Sequence, residues 1–209
     1  MIRIVIHATR LMIVVAALGA ILAAQTQPAA QPKIKTPGSP VKNNDDSQLY
    51  RNAACGFRYQ IPYGWVDRTK SMRGEIEVGK GEVLLAAFER PPEAAGETVN
   101  STVVIASESA ASYPGLKRAE DFLGTLTELA TSEGFKASGE PYALDVESRQ
   151  LVRADFVKQI SDKLTMHQCT LVLLAKGQIV SFTFIAGSED ELDEIMDGLH
   201  FGAAKASAH

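Results

Sequence analysis

The chain has 209 residues, enough for one ordinary domain with extensions, and its content of 45% hydrophobic and 22% charged residues is that of a soluble globular protein. The formal net charge is −4; without Arg3 and Arg10 at the N-terminus, 19 basic residues stand against 25 acidic ones, a net −6. A surface of that sign has no electrostatic reason to seek nucleic acid or anionic lipid, which excludes nucleic acid as an expected partner.

Residues 1–24, MIRIVIHATRLMIVVAALGAILAA, join a positive start (Arg3, Arg10) to an apolar run of 14 residues, Leu11–Ala24. As a helix this run reaches about 21 Å, short of the roughly 30 Å of a bilayer's hydrocarbon. The pattern predicts a signal peptide cleaved after Ala24, export to the periplasm or beyond, and no stable membrane span after cleavage. Residues 25–48 are rich in Pro, Gln, Asn and Ser and nearly lack large apolar groups. Such a stretch cannot bury enough surface to offset ordering entropy, so it is expected to be a disordered tether. Pro37 and Pro40 within it form a P-x-x-P, a spacing common to Pro-rich linkers and to peptide ligands.

From residue 49 the composition changes, and 49–203 is expected to form a single α+β globular domain, with 204–209 a frayed tail. Phe57–Ile61 alternates as a strand and is closed by Pro62 and a turn at Gly64. Val83–Phe88 and Thr102–Ala106 are further short strands. Ala119, Phe122, Leu123, Leu126, Leu129 and Ala130 share one helical face, with Gly134 as the stop. Extended segments follow at 142–146, 151–157, 164–175 and 179–185, the last two joined by the Lys176–Gly177 turn; short connections of this kind make antiparallel neighbours. Ser188 and Glu191 form a capping box for a closing helix whose stripe is Leu192, Ile195, Met196 and Leu199. The sum is a central antiparallel sheet of about six or seven strands with helices packed on its faces.

No motif yields a catalytic, cofactor or metal site. Gly74–Gly81 approaches a phosphate-binding loop, but Gly81 stands where a hydroxyl is needed and no helix follows. Cys55 and Cys169 are a disulfide candidate in an oxidising compartment; in the chain-entropy model such a bridge is worth about 4–5 kcal/mol. Otherwise they are separate packed thiols. His167, Cys169 and Cys55 would make three zinc ligands without a fourth, and His200 has no partner that spacing shows. The acidic run Glu189–Asp197 occupies the first turns of a helix, where negative charge is favourable without a ligand. Asn100-Ser101-Thr102 matches the N-glycosylation pattern. Tyr63, Trp65 and Arg68 are the candidate partner surface, at and after the Gly64 turn; the alternative for Trp65 is a core anchor beneath the sheet.

Two stretches resemble the PsbP-like family, named for an extrinsic subunit of photosystem II. Gly56-Phe57-Arg58-Tyr59-Gln60-Ile61-Pro62-Tyr63-Gly64-Trp65 looks like the family's opening strand and its Pro-x-Gly-Trp turn. Lys176–Ala186, the Ser188 helix and Leu199-His200-Phe201 are similar to its last hairpin and closing helix. The resemblance covers roughly residues 55–202 and implies a sheet sandwiched by helices. It also implies a non-catalytic accessory role, with no functional residue carried over. The expectation is an exported accessory or binding protein with an unknown protein or envelope partner. A hydrolase with acidic residues in a cleft and a structural envelope protein stay open as alternatives.

Overall fold

The computed structural model describes residues 48–73, 81–94 and 96–202. The expected signal peptide, residues 25–47 of the expected tether, the tail 204–209 and nearly all of the Gly74–Gly81 stretch lie outside them. In chain order the elements are β1 (Leu49–Asn52), β2 (Phe57–Gln60), β3 (Val66–Asp67), α1 (Thr69–Arg73), β4 (Glu82–Phe88), β5 (Thr102–Ser109), α2 (Glu120–Ser132), β6 (Lys136–Ala137), β7 (Tyr142–Val146), β8 (Arg149–Ser161), β9 (Leu164–Ala175), β10 (Gln178–Ala186), α3 (Glu189–Met196) and β11 (Leu199–Phe201).

The β-branched and aromatic runs of the second half build the centre. β8, β9 and β10 pair antiparallel in sequence order, and β5 and then β4 add to the other side of β10. The full order is β3-β4-β5-β10-β9-β8-β6, with β7 also on β8. Strands β6 and β7 share one edge of β8: Ala137 pairs with Phe156 and Tyr142 with Arg153, so residues 138–141 bulge out between them. The main sheet is therefore antiparallel and seven positions wide. Lys176 (φ 52°) and Gly177 (φ 76°) both take the left-handed conformation between Ala175 and Gln178. That is the geometry of a tight primed hairpin turn, whose twist matches the flanking strands.

Period-two alternation sends side chains to two different layers. Val180, Phe182, Phe184 and Ala186 of β10 pack with Phe57, Tyr59, Leu192, Ile195, Leu199 and Phe201. This layer is α3 together with a second, three-stranded sheet of order β1-β2-β11. On the opposite face Ile179, Val172, Val152, Ala154 and Phe156 lie against Phe122, Leu123, Leu126 and Ala130 of α2. Met72 of α1 covers Val83, Ala86 and Phe88. The sequence reading placed β2 in one sheet with the rest. Instead it pairs with β1 and β11, and the aromatic faces of the two sheets meet. No helix among the described residues is long and apolar enough to cross a membrane.

Cys55 and Cys169, the disulfide candidate, are both buried free thiols in the structure. The two are staggered. Phe57 packs on Phe182 at 5.0 Å and Tyr59 on Phe184 at 6.0 Å, so β2 advances along β10 residue for residue. Cys169 is the ladder partner of Phe184, whereas Cys55 lies back toward Lys176, whose Nζ donates to the Ala54 carbonyl at 2.8 Å. Cys55 sits in the turn before β2, toward the Lys176 end of β10, while Cys169 lies level with Phe184 toward the other end. Burial raises both thiols' pKa, against the partial pull of Lys176 on Cys55 and of Arg153 on Cys169.

Candidate docking groove

Pro62 cannot donate to a ladder, and it closes β2, the central strand of the three-stranded layer. The chain turns there, with Trp65 N–H donating to the Pro62 carbonyl at 3.3 Å. Tyr63 at the tip is 95% exposed, the most exposed large apolar side chain among the described residues. Trp65 is half-buried and rests one side on the aromatic core. Its other side faces a groove of about 470 Å³ between the turn and the end of α3.

Pro62, Trp65, Ile195 and Gly198 supply the groove's apolar and small groups, and Glu89, Glu191, Glu194, Asp197 and His200 its charged and titratable ones. No Lys or Arg is among the described residues that line it. The position of α3 follows from three contacts. Ser188 caps the helix by accepting from Glu191 N–H at 3.2 Å. Tyr59 O–H donates to the Ile195 carbonyl at 2.9 Å inside the core. Gly198 lets the chain come against β2: a Cβ there would lie 2.7 Å from the Gln60 carbonyl oxygen, and Gln60 N–H donates to the Gly198 carbonyl at 2.9 Å.

The four carboxylates differ in what already holds them. Glu191 accepts from Gly187 N–H at 3.1 Å and from Ser101 Oγ, tying α3 to β5. Glu89 is paired with Arg90 at 3.0 Å. Glu194 and Asp197 have no side-chain partner among the described residues, so their charge is available to an incoming group. His200 is held by Glu147, its Nδ1 3.1 Å from that carboxylate. Glu147 also accepts from Phe201 N–H at 2.7 Å, and that bond, seconded by His200, holds its pKa below the usual carboxylate value.

Of the sequence-predicted surface, only Trp65 lines the groove; Tyr63 is exposed at the turn two residues before it, and Arg68 lies outside the lining. Arg68 leads into α1, and its guanidinium is 2.6 Å from Glu93. Sequence reasoning missed Glu194, Asp197 and Gly198. The acidic run was visible, but its helical position accounted for the charge, and only the tertiary fold sets its C-terminal end beside Trp65. His167 faces Glu189 at 3.8 Å, Cys169 is buried as the ladder partner of Asp155 on β8, and Cys55 lies in the turn before β2. Asn100 is buried, and its amide exchanges two hydrogen bonds with the Arg90 backbone, which closes it to glycosylation.

Two other hollows are present. One of about 590 Å³ lies between α2 and β6–β8, floored by Leu123, Val152, Ala154 and Phe156. The other, about 230 Å³, holds Arg153 paired with Asp155 at 2.9 Å and with Asp193 at 3.6 Å, so its charges satisfy one another.

No protein-family model and no curated relative matches the chain. Solved structures do. The cyanobacterial PsbP protein CyanoP from Synechocystis superposes with a TM-score of 0.50 at 12% identity, over 74% of this chain and 91% of that one. LpqN of Mycobacterium tuberculosis, involved in cell envelope biogenesis, gives 0.40 at 14% identity over 80% and 100%. The Ran-binding protein Mog1p of Saccharomyces cerevisiae gives 0.40 at 12% identity over 70% and 90%. The first of these, together with the two-layered packing on an antiparallel sheet, establishes that the chain has a PsbP-like fold.

Proposed function

We propose that the chain is an exported, non-catalytic accessory protein that binds a protein partner through the Tyr63–Trp65 turn and the acidic groove beside it. One observation carries this reading: Trp65, half-buried and two residues after the fully presented Tyr63, lines one groove with two carboxylates, Glu194 and Asp197, that no described side chain neutralises. Aromatic side chains at a rim are the usual anchors of protein interfaces. A groove without a Lys or Arg selects a partner segment that carries them, since an opposite charge lowers the cost of desolvating both. The sequence of residues 1–24 supports export, and residues 25–48 would hold the domain at a distance from its attachment or release point. Paired-carboxylate hydrolysis has less support in the same groove, because Glu191 and Glu89 already serve the backbone and Arg90.

A photo-crosslinking side chain at position 63, in cells that produce the protein, tests this. A specific adduct with a Lys- or Arg-bearing segment, lost on Glu194→Lys with Asp197→Lys, is expected. A control probe at Ile160, exposed on the far β8–β9 hairpin, should give no such adduct. The same adducts from both positions, or none from position 63, would refute the reading.

A further inference from the structure

We propose that the groove is occupied in the free protein by the chain's own basic segment, residues 33–42. This rests on the docking reading above and adds the identity of the resident occupant. Three observations converge. The described chain begins at the groove: the Gln48 carbonyl accepts from Ile61 N–H at 2.8 Å, between the groove residues Gln60 and Pro62. The residues that precede it have the complementary charge, for Lys33, Lys35 and Lys42 stand in 25–44 without a single acid. The only acids of the segment, Asp45 and Asp46, adjoin the exit and leave the lysines to reach the rim. Finally, Pro37-Gly38-Ser39-Pro40 lies between those lysines, and proline-rich segments dock on aromatic surfaces in a preformed extended helix. Trp65 is such a surface.

The reach is sufficient. Lys42 is six residues from Gln48, up to about 20 Å of extended chain, and Lys35 is thirteen, up to about 45 Å. Over so short a connection the effective concentration of the segment at the groove is of order millimolar. A weak contact is then enough to fill the site, and an external partner must displace it. The segment thus sets a threshold: a partner with denser positive charge gains access, and an isolated lysine does not.

Trp65 is the only tryptophan in the chain, so its fluorescence reports on the groove alone. Acrylamide quenching is measured on the full chain and on a Lys33→Gln/Lys35→Gln/Lys42→Gln variant, which alters no residue of the folded part. The variant is expected to quench about twofold more strongly, as an opened intramolecular contact requires. The intact chain should approach it in about 0.5 M salt, where exposed charges are screened. A synthetic peptide of residues 33–42 added to the variant should restore protection. Equal quenching of both chains at every salt concentration overturns the proposal. If the peptide protects Trp65 equally in both, the docking reading stands and only the resident-segment inference fails. If it protects neither, both fail. Protection that rises with protein concentration assigns the groove to another copy's segment and overturns the intramolecular form.

Discussion

One face of the main sheet meets the three-stranded sheet and α3 through interlocked rings; the other meets α2 across a partly polar surface. On the first, Phe57, Phe182 and Phe201 interlock edge to face or tilted at 5.0 to 6.4 Å, and Tyr59 adds a buried hydrogen bond to α3. On the second, Gln168, Thr170, Ser181 and Thr183 are all buried. Thr170 bonds Gln168 and Thr183, yet Gln168 Oε1 has no partner among the described residues. Rings fix relative position by shape, since each is held by several others in a close-packed interior. The layer fastened in that way is the one that bears the groove. Trp65 and Gly198 are placed by the same contacts that hold β2 and β11, whereas the helical face carries polar groups that stability alone would not select.

This contrast is open to attack by substitution. Phe182→Ala and Phe122→Ala each empty a buried ring site and should each cost about 3–5 kcal/mol in denaturant unfolding. Only the first is expected to shift Trp65 emission in the native state; equal shifts from both would dissolve the distinction between the layers. Gly198→Ala drives a Cβ against the Gln60 carbonyl. An overpacked backbone contact of this kind costs about 1–3 kcal/mol, and loss of partner adducts from position 63 should exceed what that loss of stability explains.

A smaller effect lies on the helical face. Burial raises the pKa of Glu108, and the hydrogen bond from Tyr113 offsets this only in part. The folded state therefore holds a proton that the unfolded state releases, and stability falls as pH rises from the usual carboxylate value through the raised one. Glu108→Gln should remove that fall and raise the melting temperature at neutral pH; an unchanged pH profile would count against it. The smallest effect belongs to Glu147, whose pKa is lowered by Phe201 N–H and His200. Its contribution is present above the unfolded carboxylate value and is lost as pH falls through the lowered one. Corrected for the intrinsic pH dependence of exchange, the protection of the Phe201 amide should then fall in acid, with that of the Phe182 amide unchanged.

The sequence reading was sound where side chains repeat with a period. β9 and β10 are long, continuous and bounded by a Lys-Gly turn, and α2 carries its stripe over three turns, so each was legible. Short elements were legible only where alternation or flanking turns marked them, as in β2 and β7. β1, β3, α1, β6 and β11 went unseen for that reason, and with them the second sheet. β8 runs on to Ser161, four residues past its apolar part, because its exposed end is held by pairing with β9 rather than by burial. Tyr63 was legible as a turn residue, but the carboxylates facing Trp65 come from residues some 130 positions later. Only the docking of α3 unites them.

The bulge at residues 138–141 reaches beyond local geometry. A sheet edge is a template on which a foreign strand can grow. Here the β8 edge is covered by a strand broken in two by Gly139 and Pro141, and the opposite edge ends in β3, two residues long. Neither border of the main sheet offers a continuous ladder longer than the five residues of β7. The molecule can present an aromatic, sticky turn at one place and still resist stacking edge to edge with its neighbours.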